Sequence, residues 1–440
     1  MKKSAALALF LLVIGFAGSD RSAAQNAASD GHWVAAWGTS VHAPVKFPGI
    51  PGEPPLSDQT VRMIVRPTIG SQRLRVRLSN EFGTSALVIG AAHIALTGDG
   101  SSLKPESDRV LTFGGNAKVS IPPGAPLLSD PVDLRVDAFS EISISIYLPL
   151  DTPVSTWHFQ GQHESYLAGP GDLTGKAELW VPPGKAAWYF LSGIEAWVPN
   201  STTTIVAFGD SITQGTSNKP GESYSDWPYQ LAHRFSSEQG APGIAVVNEG
   251  IGGNRILHDA AGVSALARFD RDVLALPGVT RLILLEGIND IGFPRIRVSE
   301  AKNLPAMKEN PFAAQLVSAE EIIAGLQQLI ARAHAHGIRV FGGTLTPFEG
   351  TNSYDAGGEA VRQEVNKWVR TTNLFDGIFD FDALMRDSAR PSRLRDLYDS
   401  GDHIHPNPAG YKAMADSISL AILRKKILEV QRERHPGTRK

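Results

Sequence analysis

Two kinds of hydrophobic pattern divide the chain, and one replaces the other near residue 200. Over residues 31–199, apolar and polar residues alternate with a period of two, most clearly at residues 73–78 and 142–148. Runs of Gly, Pro, Asp and Asn separate these stretches, and no helical stripe is sustained. The alternation predicts an antiparallel β-sandwich or jelly-roll-like domain over residues 31–199.

After residue 203 the pattern changes to apolar runs that alternate with helical segments. Strands are predicted at residues 205–208, 244–247, 280–285, 338–342 and 377–381. Helices are predicted at residues 225–236, 264–274, 319–335, 359–370 and 411–423. Such alternation is typical of a parallel sheet with helices on both faces, here over residues 203–425. Residues 287–312 contain three prolines and no regular period, which favours a loop that forms a cleft wall.

Composition and the chain ends add limits to this picture. A net charge of -3, with no basic run before the last twenty residues, argues against a nucleic-acid partner. The absence of cysteine excludes disulfides and thiolate metal sites. Two lysines followed by an apolar stretch and small residues predict a signal peptide over residues 1–25, with an uncleaved membrane anchor as the alternative. We therefore expect a secreted or periplasmic protein without stable membrane insertion after cleavage, with a charged tail at residues 426–440.

The candidate chemistry begins at Gly209-Asp210-Ser211, directly after the first predicted parallel strand. Open α/β sheets bind their ligands at the carboxyl ends of the strands, so Ser211 is placed as a candidate nucleophile. A serine hydroxyl needs a base, a group that orients the base, and donors for the oxyanion. The alternative is an ordinary strand-to-loop turn, because the same residue types are common in turns.

A candidate base lies in Asp402-His403-Ile404-His405, in a turn that precedes a predicted helix. An aspartate three residues before a histidine can reach the imidazole Nδ1, which leaves Nε2 free to take a serine proton. This spacing favours His405 as the base and Asp402 as its orienting carboxylate. His403 competes for the role, although an adjacent aspartate is poorly placed to orient it. Two exposed histidines without a function, or a metal site of His403, His405 and Asp402, are the other hypotheses.

Candidate oxyanion donors follow the second and third predicted parallel strands. Residues 247–254 contain Gly252 and Gly253, and glycine lets backbone N–H groups approach a ligand closely. Residues 285–290 contain Asn289, whose side chain offers an N–H donor. Because successive strand ends meet at one edge of a parallel sheet, we expect both loops to face Ser211.

These motifs together resemble those of the SGNH (GDSL) hydrolases. Gly209-Asp210-Ser211, Gly252-Gly253-Asn254, Gly287-Ile288-Asn289-Asp290 and Asp402 with His405 occur in the order and approximate spacing of that family's four sequence blocks. The resemblance implies a three-layer α/β/α flavodoxin-like domain that hydrolyses esters without a cofactor or metal. It implies that Ser211, Asp402 and His405 form the catalytic triad. It also implies an oxyanion hole of the Ser211 and Gly253 amides and the Asn289 side chain, with Gly252 as the alternative to Gly253. Ile212 replaces the family's usual Leu.

The first half of the chain, beginning at residues 33–37, looks like the accessory domain of secreted bacterial multidomain esterases. We therefore expect two-step acyl transfer on short acyl groups of extracellular carbohydrate or on small esters. A lipase or arylesterase, a metal-dependent hydrolase, and a binding protein with a vestigial hydrolase domain are the alternatives. A cluster of aromatic and histidine residues either lines a ligand site or belongs to the hydrophobic core and an adjacent turn: Trp157, His158, Phe159, His163 and Tyr166.

Overall fold

The computed structural model describes residues 30–45, 53–215, 223–237, 243–300 and 308–424. The predicted signal peptide at residues 1–25 and the predicted charged tail at residues 426–440 lie outside these ranges. None of the helices in the described ranges combines the length and the apolar character needed to cross a membrane.

In the first half of the chain, all pairings between the described strands are antiparallel. The strands are β1 (Gly31–Gly38), β2 (Gln59–Val65), β3 (Ser71–Ser79), β4 (Leu87–Ile89), β5 (Ala91–Leu96), β6 (Arg109–Val110), β7 (Val119–Ile121), β8 (Pro126–Leu128), β9 (Val132–Val136), β10 (Ile142–Leu148), β11 (Trp157–Phe159), β12 (Tyr166–Ala168), β13 (Ala187–Tyr189) and β14 (Leu191–Pro199).

These strands form two five-stranded sheets and two short ribbons. One sheet has the order β1-β14-β3-β8, with β9 also paired to β3, and the other has the order β12-β2-β10-β5-β6. The ribbons are β11-β13 and β4-β7. Alternate residues of β3 and β10, such as Leu74, Val76 and Ile144, are fully buried in one shared hydrophobic cluster. The period-two pattern of the sequence thus places one face of each sheet against a common core.

The described residues of the second half contain five strands, all paired in parallel. They are β15 (Thr203–Gly209), β16 (Ile244–Gly250), β17 (Val279–Leu285), β18 (Arg339–Gly343) and β19 (Gly377–Phe379). Their order, β16-β15-β17-β18-β19, is the 2-1-3-4-5 order of flavodoxin-like sheets. The chain changes direction across the sheet at β15, and the carboxyl end of β15 is therefore where a ligand site is expected.

The helices that cover this parallel sheet fall into two groups, and the main contacts between helices lie within each group. They are α1 (Ser211–Gln214), α2 (Trp227–Ser236), α3 (Ala265–Phe269), α4 (Ile288–Gly292), α5 (Ala319–Ala335), α6 (Ala356–Thr371), α7 (Phe381–Met385), α8 (Pro408–Ser417) and α9 (Leu420–Arg424). One group joins α2, α7 and α8, and the other joins α3, α4, α5 and α6. The α5 helix begins with a capping box, in which Ser318 and Glu321 exchange hydrogen bonds.

The structure confirms all five predicted parallel strands and corrects several boundaries. Phe381 starts α7 instead of ending a strand, because the Asp380 carboxylate caps the helix by accepting the Ala383 N–H at 3.1 Å. The predicted helix at 411–423 is interrupted between α8 and α9, where Ile418 has an extended backbone. The segment predicted as irregular from residue 287 instead starts with α4 and two short 3₁₀ turns, and its residues 301–307 lie outside the described ranges.

The two halves are joined along β1 and the edge strand β16. The Thr68 hydroxyl donates to the Val246 carbonyl and accepts the Val246 N–H, both at 3.0 Å. The Thr204 hydroxyl donates to the Ala35 carbonyl at 2.9 Å, and the Ala35 N–H donates to the Pro277 carbonyl at 2.9 Å. Buried hydrogen bonds therefore connect the two halves next to the strand that leads to Ser211.

Candidate active site

Ser211 is the first residue of α1, immediately after β15. Asp210 caps this short helix, and its carboxylate accepts the Ile212 N–H at 2.9 Å. Gly209 leaves no room for a side chain, because a Cβ there would lie 2.1 Å from the Leu285 carbonyl oxygen. The turn that presents Ser211 thus depends on close contact between two adjacent strand ends.

The hydroxyl of Ser211, the ring of His405 and the carboxylate of Asp402 form one continuous hydrogen-bonded chain. His405 Nε2 lies 2.7 Å from Ser211 Oγ, and His405 Nδ1 lies 2.6 Å from Asp402 Oδ2. The other oxygen of Asp402 accepts the backbone N–H groups of Ile404 at 3.1 Å and His405 at 2.9 Å. The structure therefore brings Ser211 to His405, 194 positions further along the chain, while Asp402 and His405 lie three positions apart.

The environment of Asp402 favours its ionised form. Burial alone would raise the pKa of this carboxyl group, but the hydrogen bond and charge of His405 and the two backbone N–H donors outweigh it and lower the pKa. A carboxylate that stays ionised can hold the Nδ1–H tautomer of His405, which leaves Nε2 as an acceptor toward Ser211.

His403 takes a different partner. Its Nδ1 lies 2.6 Å from Asp399 Oδ2, and the same carboxylate accepts the His403 backbone N–H at 3.0 Å. The His403 ring packs on the backbone of Gly350, where a Cβ would lie 2.7 Å from the ring. Within the described part of the chain, no group of three or more ligating side chains is arranged to hold a metal ion. The hypothesis of a metal site at residues 402–405 therefore finds no ligand cluster there.

Two loops that follow β16 and β17 meet beside Ser211. A Cβ built on Gly252 would lie 3.8 Å from Ser211 Cβ, whereas one on Gly253 would face Phe293 and Ala261. Gly253 has a φ of +77°, a conformation that favours glycine. Among the described residues, neither the Gly252 nor the Gly253 amide has a protein acceptor. Such amides remain available to a ligand atom.

Asn289 and its neighbour connect these two loops. Asn289, the second residue of α4, donates from its side chain to the Asn254 carbonyl at 2.9 Å, which engages one of its two N–H bonds. The buried carboxyl group of Asp290 accepts the N–H groups of Ile256 at 2.7 Å and Leu257 at 3.0 Å. The pair Asn289 and Asp290 thus fixes the loop that carries Gly252 and Gly253.

Arg268 is a site residue that the sequence analysis missed. Its guanidinium, which has no solvent exposure, donates to the carbonyls of Gly209 at 2.9 Å and Glu249 at 2.8 Å. It also donates to the Asn254 side chain and to the Ser40 hydroxyl of the first half, each at 2.8 Å. One arginine therefore holds the ends of β15 and β16, the glycine loop and the domain junction in place. Three further charged residues lie within residues 264–274, so the sequence held no signal that set Arg268 apart.

Three buried carboxyl groups, those of Asp210, Glu286 and Asp290, lie next to residues of the candidate active site. Neither oxygen of Glu286, at the end of β17, has a hydrogen-bond partner among the described residues, and burial raises its pKa well above the usual value. Burial also raises the pKa of Asp210 to about 7 and that of Asp290 to about 6. Burial therefore favours the neutral form of Glu286, whereas the surroundings of Asp402 favour its ionised form.

The aromatic and histidine cluster of the first half is dispersed. Trp157 stacks on Phe159, and Tyr166 belongs to a separate small core. His158 lies 2.8 Å from the Ser40 carbonyl oxygen, and burial lowers its pKa to about 3, so its ring is neutral. It lines a cavity of about 50 Å³ between the two halves, which has room for a few water molecules.

Several solved structures are similar to about half of this chain. A comparison with curated proteins gives no match. Solved structures that the chain is similar to include an acetylxylan esterase from Geobacillus stearothermophilus, at 22% identity over 51% of this chain and 95% of that one, with a TM-score of 0.37. A GDSL-like lipase from Bacteroides thetaiotaomicron has 18% identity over 50% and 88% of the two chains, with a TM-score of 0.36. A member of the lipolytic protein G-D-S-L family from Veillonella parvula has 20% identity over 49% and 95%, with a TM-score of 0.34.

The match to a family model agrees with the ordered motifs of the sequence. Residues 207–413 match the model of the GDSL-like Lipase/Acylhydrolase family. The matched region begins inside β15, ends in α8, and includes Ser211, Asn289 and His405. Residues 207–413 of this chain therefore form a GDSL-like lipase/acylhydrolase domain.

Proposed function

We propose that this protein is a serine esterase that hydrolyses carboxylic esters by two-step acyl transfer. The observation that carries the proposal is the contact of 2.7 Å between His405 Nε2 and Ser211 Oγ, with Asp402 at 2.6 Å behind the imidazole. A nucleophile, a base within hydrogen-bond reach and a group that orients the base are the parts that activated serine requires.

In the first step, Ser211 Oγ attacks the ester carbonyl while His405 Nε2 takes the hydroxyl proton. The resulting imidazolium is stabilised by the ionised Asp402. His405 then returns the proton to the leaving alcohol, and the C–O bond of the ester breaks. In the second step, water loses a proton to His405 and attacks the acyl-enzyme, which releases the acid and restores Ser211.

We assign the oxyanion hole to the backbone N–H groups of Ser211 and Gly253 and to the side chain of Asn289. The Gly253 amide has no protein acceptor among the described residues, and Asn289 keeps one N–H bond beyond the one it donates to Asn254. Gly252, whose α-carbon faces Ser211, is the alternative backbone donor. Each such donor typically contributes about 10²–10³ in turnover.

The test replaces the hydroxyl. Ser211→Ala is expected to abolish hydrolysis of p-nitrophenyl acetate while the thermal unfolding temperature stays close to that of the wild type. Ser236→Ala, at an exposed serine of α2, is the matched control and is expected to keep full activity. Turnover retained by Ser211→Ala would refute the assignment of the nucleophile. Loss of activity in EDTA would favour the metal-dependent alternative.

We further propose that residues 31–199 form an accessory β-sandwich domain, that residues 203–425 form a three-layer α/β/α hydrolase domain, and that the protein is secreted or periplasmic. The shared core of the two antiparallel sheets and the two helix groups on the parallel sheet support the division. The secretion proposal rests on the predicted signal peptide alone.

For the substrate, we propose short acyl groups on extracellular carbohydrate or on small esters. A lipase or arylesterase with the same triad is distinguished by comparing acetylated sugars with p-nitrophenyl esters of increasing chain length. A carbohydrate-binding protein without catalysis would bind polysaccharide and turn over none of these esters. The complete hydrogen-bonded chain at Ser211 argues against this last alternative.

A further inference from the structure

A short segment of the first half, residues 159–162, lies against the helix that carries Ser211. Gln214, the last residue of α1, donates from its side chain to the carbonyls of Phe159 and Gln160, both at 2.9 Å. In the opposite direction, the Gln162 side chain donates to the carbonyls of Gln214 at 2.8 Å and Gly215 at 3.0 Å. This reciprocal pair of glutamines fixes the segment to the nucleophile helix.

The side chain of Gln160 extends from this segment toward the loop that carries Gly252 and Gly253. A methyl group placed on Gly252 would lie 3.3 Å from Gln160 Oε1 and 3.8 Å from Ser211 Cβ. The Gln160 carboxamide oxygen and the Ser211 side chain therefore both lie close to Gly252. The Gln160 side chain is partly exposed, and its nitrogen donates to no described residue. Its hydrogen-bonding capacity is thus available at the site.

The backbone of Gln160 is held in a conformation that its side chain does not favour. Its φ of +59° lies in the left-handed region, where residues other than glycine are uncommon. Such strain persists only when the surroundings impose it, and it is concentrated at functional sites. Here Gln214 fixes one side, and on the other Gly161 packs on the Trp188 ring, where a Cβ would lie 3.1 Å from the indole.

We propose that Gln160 is a specificity residue that the first domain supplies to the esterase site, and that it binds a hydroxyl group on the alcohol part of the substrate. A carboxamide offers both a donor and an acceptor, which matches a hydroxyl group and has no counterpart in a plain hydrocarbon. A site with such a group disfavours substrates that leave it unpaired. The inference rests on the proposed esterase function and names its substrate class as esters of polyhydroxylated alcohols such as sugars.

The experiment compares two acetyl esters of similar ring size, monoacetylated glucose and cyclohexyl acetate. Gln160→Leu keeps the approximate size of the side chain and removes its hydrogen bonds. We expect kcat/KM for monoacetylated glucose to fall about three- to tenfold, the effect of one lost hydrogen bond. We expect kcat/KM for cyclohexyl acetate to stay within about twofold. Gln72→Leu, at an exposed glutamine of β3, is the matched control and is expected to change neither value.

Gln160→Glu provides a second, nearly isosteric variant in case the leucine variant folds poorly, and it is expected to show the same selective loss. Equal losses on both esters, or no loss on either, in an active and folded variant would overturn this inference alone. Failure of the wild type to hydrolyse any ester, p-nitrophenyl acetate included, would overturn the proposed function itself. The two failures are therefore distinguishable.

Discussion

Two histidine–aspartate pairs in the loop before α8 have nearly the same local geometry and different surroundings. In each pair, the histidine Nδ1 lies 2.6 Å from a carboxylate oxygen. In each pair, the same carboxylate also accepts the backbone N–H of its histidine, at 3.0 Å for Asp399 with His403 and at 2.9 Å for Asp402 with His405. Local hydrogen bonding therefore does not distinguish the two pairs.

The third contact does distinguish them. His405 reaches Ser211 Oγ, whereas the His403 ring rests on the backbone of Gly350. The Asp399 side chain is 6% exposed and the Asp402 side chain 51%. The turn alone can orient an imidazole, but proton transfer additionally requires a group whose proton the imidazole can take. We expect the first pair to stabilise the loop and the second to act on Ser211.

The largest expected difference between the pairs is in turnover. His405→Ala removes the proposed base, and we expect kcat for p-nitrophenyl acetate to fall by about 10⁴–10⁶. His403→Ala is expected to lower kcat less than about tenfold and to lower the thermal unfolding temperature instead. Kinetics and thermal melts of both variants provide the check. The reverse ranking of the two kcat values would assign the base to His403.

Substitution of the two aspartates, Asp402 and Asp399, is expected to give a smaller difference in kcat. Asp402→Asn is expected to lower kcat by about 10²–10⁴, because an amide can no longer hold the required imidazole tautomer. Asp399→Asn, the matched substitution in the other pair, is expected to change kcat less than about tenfold and to destabilise the loop. Similar losses of kcat in both variants would contradict the separation of roles.

The contact of His403 with Gly350 is tested through stability. Gly350 has a φ of +110°, and a Cβ there would lie 2.7 Å from the His403 ring. Gly401 has a φ of +105° with open space around it, so Gly401→Ala measures the backbone strain alone. We expect Gly350→Ala to lower the free energy of unfolding by about 1–3 kcal/mol more than Gly401→Ala does. Equal losses in denaturant titrations would show that the ring contact is unimportant.

The smallest expected effect is the pH dependence of stability that Asp402 confers. Its native pKa is lowered, so its stabilising contribution is present above the usual carboxyl pKa of about 4 and is lost as the pH falls through the native pKa. The difference in thermal unfolding temperature between the wild type and Asp402→Asn is therefore expected to be constant from about pH 6 to pH 4 and to shrink below that. Asp396→Asn, at an almost fully exposed carboxylate, is the control.

The sequence was most informative where the physical requirement is local. Buried parallel strands need continuous apolar runs, and such runs located β15 to β19 correctly. The three-residue spacing of Asp402 and His405 likewise predicted their hydrogen bond. The pairing of His403 with Asp399 was not predicted, because it depends on a φ of +69° at His403 that the residue type does not favour.

The residues that the sequence analysis missed depend on distant partners. Arg268 contacts Gly209 and Ser40, which are 59 and 228 positions away. Gln160 is held by Gln214, 54 positions away and in the other half of the chain. No periodicity or spacing within one segment encodes such contacts, because they exist only once both halves are packed together. Local sequence patterns thus predicted the fold and the motifs, but not residues such as Arg268 and Gln160 that connect the two halves of the chain.

The buried guanidinium of Arg268 has a consequence for how this protein can be divided. Excising the hydrolase half at residue 200 would remove the Ser40 hydroxyl from that guanidinium and the carbonyls of Phe159 and Gln160 from Gln214. The buried cation and the Gln214 amide would then lose these hydrogen-bond partners close to Ser211. We therefore expect the second half to be less stable without the first, because the first half supplies these contacts.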